Sequence, residues 1–388
     1  MDLAHPGTLA RAARGKSVND RSIQRSESKA PRVTVLMSVY NGERYLRTAI
    51  DSILSQTCTD FEFLIINDGS TDDSREIILS YRDPRICMID NPSNIGLTKS
   101  LNRGLALARG KLIARQDADD ISHVVRIEKQ VAYMEAHLKT VLLGTQARNI
   151  DMHGRLVNNP LSGKATTLQG IRWQLMHSNA FVHTSVMFRR EVLWGQLEGY
   201  DESFDRRQDF ELWSRVARSY NVTNLPEDLV DLRKHSKSIM SNYSVEHISS
   251  FEKVVFENMC RFLESKEIPF EWARFITWQN NAHLMAPPDR PKKLLGVVNS
   301  IRSKFTEINK CAQTDPTMKR LFAVELIQLA MKLCAQSKQV SLQAYLDALR
   351  TSFRLTAAMA PRYFTLLFLG ESIRNIHLRS RYGLDMNK

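Results

Sequence analysis

The sequence predicts an α/β fold in which a mostly parallel sheet has helices on both faces and is followed by an all-helical C-terminal region. Short, nearly continuous apolar runs recur between residues 33 and 117, as in strands buried on both faces of a sheet. Segments with apolar residues at helical spacing alternate with these runs, which is typical of parallel strands joined by crossover helices. Beyond residue 245 only the helical spacing continues.

The predicted elements follow one another closely along the chain. They are strand 33–41, helix 43–57, strand 61–68, helix 72–81, strand 85–90, helix 97–109, strand 111–120, helix 124–137, strand 140–150, a polar loop at 151–167 and helix 208–219. Gly110 is expected to end helix 97–109 as its C-cap. Further helices are predicted at 247–266, 319–336, 340–358 and 362–379.

Length and composition indicate more than one domain. The chain has 388 residues, a net charge of +12 and 43% apolar residues, enough for a substantial core. We expect a disordered basic tail at 1–30, the α/β domain at 31–244 and a helical domain at 245–388. The five scattered cysteines form no paired motif, which favours a reducing cytoplasm without a zinc site or disulfide framework.

Several partner classes are disfavoured by the sequence. No signal-peptide stretch and no run of about 18 apolar residues is present, so we expect neither export nor a transmembrane helix. The basic residues are spread along the chain without a basic and aromatic patch, so we expect no nucleic-acid binding. Segment 361–381 combines aromatic residues with arginines, which fits either peripheral contact with an anionic membrane or a helix packed within its own domain.

Three polar turns follow strands of the predicted sheet, at Tyr40-Asn41, at Asp68-Gly69-Ser70 and at Asp117–Asp120. Ligands of open α/β sheets bind at the carboxyl ends of the strands. We therefore expect the three turns to form one site.

The turn Asp117-Ala118-Asp119-Asp120 has two interpretations. Asp117 and Asp119 can point to the same side, where their oxygens suit Mg²⁺ or Mn²⁺ together with phosphate oxygens. Alternatively, Asp119 or Asp120 caps a helix that begins at Ile121. The position beside two other polar turns favours the metal site. Both interpretations hold together if Asp117 and Asp119 face the ligand while Asp120 caps the helix.

Other candidate residues also allow a functional and a structural role. Asp68 can accept hydrogen bonds from a ribose or a base edge, or form an Asx-turn. Tyr40 offers an aromatic face to a base, or buries its ring at the strand end. Asp209 begins an amphipathic helix, where it can deprotonate an acceptor hydroxyl or cap the helix. His183 and His235 are candidate contacts of metal or phosphate, or are structural.

Several motifs stand in one order along the chain. They are VLMSVYNGERYLRTAIDSILSQT at 35–57, LIINDGSTDDS at 64–74, NIGLTKSLNRGLALARGKLIARQDADD at 94–120, HTSVMFRR at 183–190, GYDESF at 199–204, QDFELWSRV at 208–216 and RKHSKSIMS at 233–241. In these motifs the sequence resembles the family 2 glycosyltransferases of the GT-A fold, those that build bacterial surface polysaccharides. The resemblance covers about residues 33–240.

The resemblance implies an inverting, metal-dependent transfer of a sugar from a nucleotide-diphosphate sugar, expected to be a UDP-sugar, to a hydroxyl of a glycan or lipid-linked acceptor. Asp209 would be the catalytic base. Asp119 would be the main ligand of Mn²⁺ or Mg²⁺, with His235 as a further metal contact, and His183 and Arg233 would contact acceptor or diphosphate. The implied nucleotide-binding residues are Val39, Tyr40, Asn41, Asp68, Asn94, Gly96, Asp117 and Ala118.

The sequence departs from the family pattern at three places. Gln208 stands where the family usually has Glu, Leu197–Tyr200 replaces the usual paired glycines, and no Arg stands immediately before Asn102. These departures concern the acceptor side and the identity of the nucleotide.

Two other functions suit the same sheet. A sugar-phosphate nucleotidyltransferase needs a glycine-rich, basic loop after the first strand, whereas residues 38–46 hold one glycine. A non-catalytic nucleotide-sugar-binding module fits Gln208, but the presence of Asp68, Asp117, Asp119 and Asp209 favours catalysis. We expect a cytoplasmic enzyme, with any membrane contact made peripherally at the inner face.

Overall fold

The computed structural model describes residues 30–157, 163–176, 178–204, 206–235, 245–263, 291–308, 318–319, 322 and 338–351. The tail predicted at 1–30 lies outside these residues apart from Ala30. The helices predicted at 319–336 and 362–379, and the amphipathic segment 361–381, lie outside them almost entirely. The expectations for the tail, for these two helices and for segment 361–381 therefore stay predictions.

Strands and helices alternate in the first part of the chain, as predicted. They are β1 (Val33–Val39), α1 (Glu43–Leu54), β2 (Phe61–Asn67), α2 (Ser74–Leu79), β3 (Ile86–Asp90), α3 (Leu97–Leu107) and β4 (Leu112–Asp117). Every residue of β1 and β2 is buried. This burial explains why the sequences of these strands are nearly all apolar.

The next part of the chain adds shorter and more polar elements. They are β5 (Ile121–Ser122), α4 (Arg126–Ala136), β6 (Thr140–Ile150), β7 (Leu156–Val157), α5 (Leu168–Leu175), a 3-10 turn (His183–Ser185), β8 (Met187–Arg189), a π-helical turn (Glu191–Gln196), α6 (Gln208–Ser219) and β9 (Asn221–Arg233). Strand β9 was not predicted, because Pro226 and several polar residues interrupt its apolar pattern and its pairing with β6 is irregular.

The strands form one sheet in the order β3-β2-β1-β4-β8-β6-β9-β5, with β7 beside β6. Strands β3, β2, β1 and β4 are parallel. The short strand β8 runs antiparallel to both of its neighbours, β6 and β9 pair in parallel, and β5 is antiparallel to β9. The prediction of a mostly parallel sheet is confirmed.

Helices cover both faces of this sheet. Alternate residues of β1, such as Val35 and Met37, share a core with α1 and with Ile127 of α4. Leu36 points to the other face, where a Cβ added at Gly104 of α3 would lie 2.3 Å from its Cδ1. The alternation of side chains along a strand therefore distributes one apolar run between two helical layers.

Gly110 does not have the role predicted for it. Helix α3 ends at Leu107, and Ala108 follows with an extended backbone. Gly110 N instead donates to Thr34 Oγ1 at 2.8 Å, and a Cβ at position 110 would lie 2.3 Å from Thr34 N. The C-cap prediction is wrong, because this glycine permits close contact between the start of β4 and the start of β1.

The described part of the C-terminal region is helical, as predicted. It contains α7 (Val245–Leu263), α8 (Pro291–Ile308) and α9 (Lys338–Thr351), of which α8 was missed in the sequence analysis. Asn258 of α7 donates to Leu175 O at 2.8 Å and to Ser214 Oγ at 2.9 Å, joining α7 to α5 and α6. No helix within the described ranges is both long and apolar enough to span a membrane. The domain boundary at 244/245 stays a prediction.

Candidate active site

The ends of β1, β2 and β4 bring the three polar turns to one edge of the sheet. Asn41 follows β1 with a positive φ of 51°, and its Oδ1 accepts a hydrogen bond from Thr71 N at 2.8 Å. Asp68 N donates to Val39 O at 2.8 Å. A Cβ added at Gly42 would lie 3.7 Å from Ala118 Cβ, so the turn after β4 lies against the turn after β1.

Asp68 is buried and shapes the loop that follows β3. Its Oδ1 accepts hydrogen bonds from Asn91 Nδ2 at 2.7 Å and from Ile95 N at 2.9 Å, and its Oδ2 accepts from Gly96 N at 3.0 Å. Gly96 has a φ of 92°, which L side chains rarely adopt. The carboxylate therefore fixes Asn94 and Gly96 at the mouth of the site, where Tyr40 is 49% exposed.

Asp117 and Asp119 are the two partly exposed carboxylates of the turn after β4. Asp117 Oδ1 accepts a hydrogen bond from Arg115 Nη2 at 2.6 Å, and Asp117 N donates to Thr184 Oγ1 at 3.0 Å. Asp119 Oδ2 lies 2.9 Å from His235 Nε2. Partial burial and the charge of Asp117 raise the pKa of Asp119, and the hydrogen bond from His235 opposes the rise.

Asp120 is fully buried and faces β9. Its Oδ1 accepts a hydrogen bond from Arg233 N at 2.8 Å. Burial and the charges of Asp119 and Asp117 raise the pKa of Asp120 well above its usual range. The next residues, Ile121–Ser122, form strand β5, and α4 begins only at Arg126. The helix-cap prediction for Asp120 is wrong, because the pairing of β5 with β9 replaces the expected helical turn.

Arg233 and Tyr45 fix the end of β9 beside the aspartate turn. Arg233 Nε donates to Asp119 O at 2.9 Å, and its guanidinium lies 4.5 Å from the centre of the Tyr45 ring. The His235 ring lies 5.0 Å from the same ring. The Arg233 side chain is thus engaged within the protein. Tyr45 was not predicted, since nothing in its local sequence distinguishes it from other residues of α1.

A buried polar layer supports the aspartate turn from below. Arg126 donates to Arg115 O at 2.7 Å and to Gln116 Oε1 at 3.0 Å. Gln116 Nε2 in turn donates to the carbonyls of Asp117 and Asp120, at 3.0 Å in each case. Both arginines have no exposed surface. This layer was not predicted, because a sequence does not distinguish buried arginines from ordinary surface arginines.

Asp209 lies in the first turn of α6, after Arg207 in a left-handed conformation with a φ of 64°. Its Oδ2 accepts a hydrogen bond from Asn179 Nδ2 at 2.7 Å. Gln208, the departure from the family pattern, is buried with only 4% of its surface exposed. Asp209 is thus held by a side chain from another loop.

His183 lies within electrostatic reach of both groups of carboxylates. Its Nε2 lies 3.0 Å from the Tyr200 hydroxyl, and its ring contacts Trp213 of α6 at a centroid distance of 6.2 Å. Burial, and then the charge of Arg115, lower the pKa of His183, while the charges of Asp209 and Asp117 raise it. The turn His183–Ser185 therefore contacts both elements, because Thr184 binds Asp117 N and the His183 ring lies against Trp213 of α6.

The donor atoms fit a divalent cation only in part. Within the part of the chain that the structure describes, no three His, Cys, Asp or Glu side chains converge as a ready cation site. Asp117 and Asp119 offer hard oxygen ligands, and His235 is hydrogen-bonded to Asp119. Such a set suits a metal whose remaining ligands are phosphate oxygens and water.

The order of this sheet, with the Asp117–Asp119 turn at the end of β4, has the GT-A architecture predicted from the sequence. The family described as Glycosyl transferase family 2 matches residues 34–196. An uncharacterized glycosyltransferase of Haemophilus influenzae is 31% identical over 250 residues, which are 60% of this chain and 75% of that protein. The chain belongs to glycosyl transferase family 2, and it is an enzyme.

Two further comparisons agree with this assignment. The O-antigen biosynthesis glycosyltransferase WbnJ of Escherichia coli is 32% identical over 215 residues, which are 53% of this chain and 81% of that protein. The crystal structure of S. aureus TarS 1-349 in complex with UDP-GlcNAc matches with a TM-score of 0.53 at 15% identity, over 85% of this chain and 92% of that one. At this identity the structural match shows the shared fold, which confirms the predicted fold class.

Proposed function

We propose that this chain is an inverting, metal-dependent glycosyltransferase that moves a sugar from a UDP-sugar to a hydroxyl of a glycan or lipid-linked acceptor in polysaccharide biosynthesis. The observation that carries the proposal is that the turn His183–Ser185 links the Asp117–Asp119 turn, through Thr184, to the helix that carries Asp209, through His183 and Trp213. The name of WbnJ supports the polysaccharide context. The UDP-GlcNAc in the TarS structure supports a uridine nucleotide.

The nucleotide half of the donor would lie over the ends of β1 and β2. The exposed face of Tyr40 can stack on a base, and the Asn41 turn and the Asn94–Gly96 loop can border the base and ribose. Asp68 would act mainly by fixing that loop, since three protein groups already donate to its carboxylate. A role of this kind predicts that Asp68 substitutions weaken nucleotide binding through loop disorder.

The diphosphate would lie beside Asp117 and Asp119. These carboxylates, with His235, would hold Mn²⁺ or Mg²⁺, which when bound stabilises the negative charge that grows on the leaving nucleoside diphosphate. The hydrogen bond between His235 and Asp119 would be exchanged for metal contacts on donor binding. Arg115 keeps Asp117 in place throughout, because its guanidinium lies buried directly behind that carboxylate.

The acceptor would approach from the side of α6. Asn179 binds Oδ2 of Asp209, and Oδ1 would take the proton from the acceptor hydroxyl as it attacks the sugar. One carboxylate base and no enzyme nucleophile suit a single displacement, which inverts the anomeric centre. The neutral Gln208 beside Asp209 adds no second carboxylate to this side.

A donor panel tests the proposal. UDP-, GDP- and dTDP-sugars are incubated with the full-length chain and Mn²⁺, and release of nucleoside diphosphate is measured. Release of UDP from a UDP-sugar is expected. Turnover only with a nucleoside triphosphate and a sugar phosphate, with pyrophosphate as product, would show a nucleotidyltransferase instead. No turnover, with retained UDP binding, would indicate a binding module.

Two substitutions then test separately the role of Asp209 as the base and the role of Asp119 as a metal ligand. Asp209→Asn is expected to abolish turnover while UDP still binds in Mn²⁺. Asp119→Ala is expected to lose the part of UDP affinity that depends on Mn²⁺, measured by calorimetry with and without the metal. The exposed Asp228→Asn serves as a control for removing one carboxylate. Near wild-type turnover of Asp209→Asn would contradict the base assignment.

A further inference from the structure

Asn179 and Lys164 lie behind Asp209, on segments outside the helix that carries it. Asn179 Nδ2 donates to Asp209 Oδ2 at 2.7 Å, and the Asn179 carbonyl accepts a hydrogen bond from Lys164 Nζ at 2.7 Å. We propose that Asn179 is a positioning residue for the base Asp209 and that Lys164 fixes Asn179 in place. This inference rests on the proposed function, which assigns Asp209 as the base.

The amide of Asn179 has only one orientation that satisfies its neighbours. Its Oδ1 accepts a hydrogen bond from Phe181 N at 3.0 Å, while its Nδ2 faces the Asp209 carboxylate. A flipped amide would place an oxygen against the carboxylate and an NH₂ group against a backbone N–H. Nδ2 of Asn179 is therefore fixed as a donor to Asp209, while Oδ1 of the same amide holds the backbone turn at Phe181.

Lys164 is itself fixed to the sheet. Lys164 N donates to Gln146 Oε1 at 2.7 Å, and Gln146 Nε2 donates to Lys164 O at 3.0 Å, so a side chain of β6 pairs with the Lys164 backbone. A continuous series of contacts thus leads from β6 through Lys164 and Asn179 to Asp209. Groups that are supported from a rigid strand keep their geometry more accurately than groups supported by loops alone.

The charges around Lys164 are consistent with this position. Burial lowers the pKa of Lys164 to about 8, the charge of Asp209 opposes this shift, and the charge of Lys234 adds to it. The Lys164 ammonium group therefore lies within electrostatic range of Asp209.

The functional consequence is a fixed direction for the free oxygen of Asp209. With Oδ2 bound by Asn179, Oδ1 is the oxygen of the carboxylate that would receive the proton of the acceptor. A base displaced by about 1 Å can cost on the order of a hundredfold in rate. Loss of the Asn179 contact should therefore lower the rate of the chemical step without changing the affinity for the nucleotide.

The test compares two substitutions of Asn179 in the full-length chain. The substrate is the UDP-sugar turned over fastest in the donor panel, and UDP with Mn²⁺ is the binding probe. Asn179→Ala is expected to lower kcat by about tenfold to hundredfold, with donor KM and UDP affinity unchanged. Asn179→Asp keeps the shape and the acceptor for Phe181 N, but it places a carboxylate against Asp209.

The order of the two variants distinguishes positioning from simple structural support. Positioning predicts that Asn179→Asp lowers kcat at least as much as Asn179→Ala, because both variants lose the donor to Asp209 Oδ2. A structural role predicts the opposite order, with the isosteric Asp variant close to wild type in kcat, and that result would overturn the inference. Asn258→Ala is the matched control, because this buried amide contacts Ser214 on α6 without touching Asp209. It should lower Tm and leave kcat within about twofold.

Lys164 variants test the outer part of the same series. Lys164→Met is expected to lower kcat less than Asn179→Ala, and Lys164→Arg, which keeps a cationic donor, to recover part of the loss. Asp209→Asn is measured in parallel. If Asp209→Asn is inactive while the Asn179 variants keep the wild-type kcat, the positioning role of Asn179 is wrong and the base assignment stands. If Asp209→Asn is active, the base assignment itself is wrong.

Discussion

Replacement of Gly110 by alanine tests the close contact between β4 and β1 on which the site depends. A Cβ at position 110 would lie 2.3 Å from Thr34 N, 2.6 Å from Val33 C and 2.9 Å from Thr34 Oγ1. Two of these atoms belong to the backbone of β1, which is paired on both sides by β2 and β4. The clash therefore cannot be relieved by rotating a side chain.

The expected cost follows from this geometry. Added atoms in a well-packed core cost about 1–3 kcal/mol, and a clash with the backbone of a central strand belongs at the upper end of that range. We expect Gly110→Ala to lower the free energy of unfolding by about 3 kcal/mol and Tm by several degrees. The shift of β4 against β1 should also weaken UDP binding in Mn²⁺, because these strands carry Asn41 and Asp117.

Urea unfolding followed by tryptophan fluorescence measures the effect. Gly195→Ala is the control, since Gly195 has no atom within 4 Å of an added Cβ and lacks a positive φ. The control should be as stable as the wild type or slightly more stable. A Gly110→Ala variant within about 0.5 kcal/mol of the wild type would refute the argument from close contact.

Two further predictions concern buried ionisable groups. Asp120→Ala should have a free energy of unfolding about 1–3 kcal/mol lower than Asp120→Asn in urea. Both substitutions remove the charge, but only asparagine keeps an acceptor for Arg233 N. Equal free energies of unfolding would contradict this prediction. Burial lowers the pKa of Lys164 from 10.5 to about 8, so between these values the unfolded chain binds more protons and the free energy of unfolding rises with pH. Lys164→Met should reduce that rise by about 1–3 kcal/mol between about pH 7.5 and about pH 10. An equal rise in the wild type and in Lys164→Met would show that Lys164 does not titrate in this range.

Local patterns were enough to predict much of the sheet and the position of the site. The strands that are buried on both faces have nearly continuous apolar sequences, so β1 and β2 were located to within a few residues. Asp68 and Asp117 could be placed together, because each stands where a parallel strand ends. These inferences need only the periodicity of a strand and the direction of its neighbours.

Long-range contacts explain what the sequence could not predict. Asp120 was expected to cap a helix, but its partner is Arg233, which lies more than a hundred positions further along the chain. The polar layer of Arg115 and Arg126 and the contact of Asn179 with Asp209 depend in the same way on packing between distant segments. A sequence pattern predicts which face of a strand or helix a residue occupies, but it does not predict which distant residue will contact it.

The buried arginines beneath the aspartate turn have a consequence for the order of binding. Two guanidinium groups offset the mutual repulsion of the carboxylates above them, so the turn keeps its shape before any ligand arrives. The same positive charge weakens the attraction of the turn for a bare divalent ion. We therefore expect Mn²⁺ to bind weakly alone and tightly as a complex with the nucleotide. Entry of cation and donor would then be a single event, and an empty enzyme would not be held in a metal-loaded state.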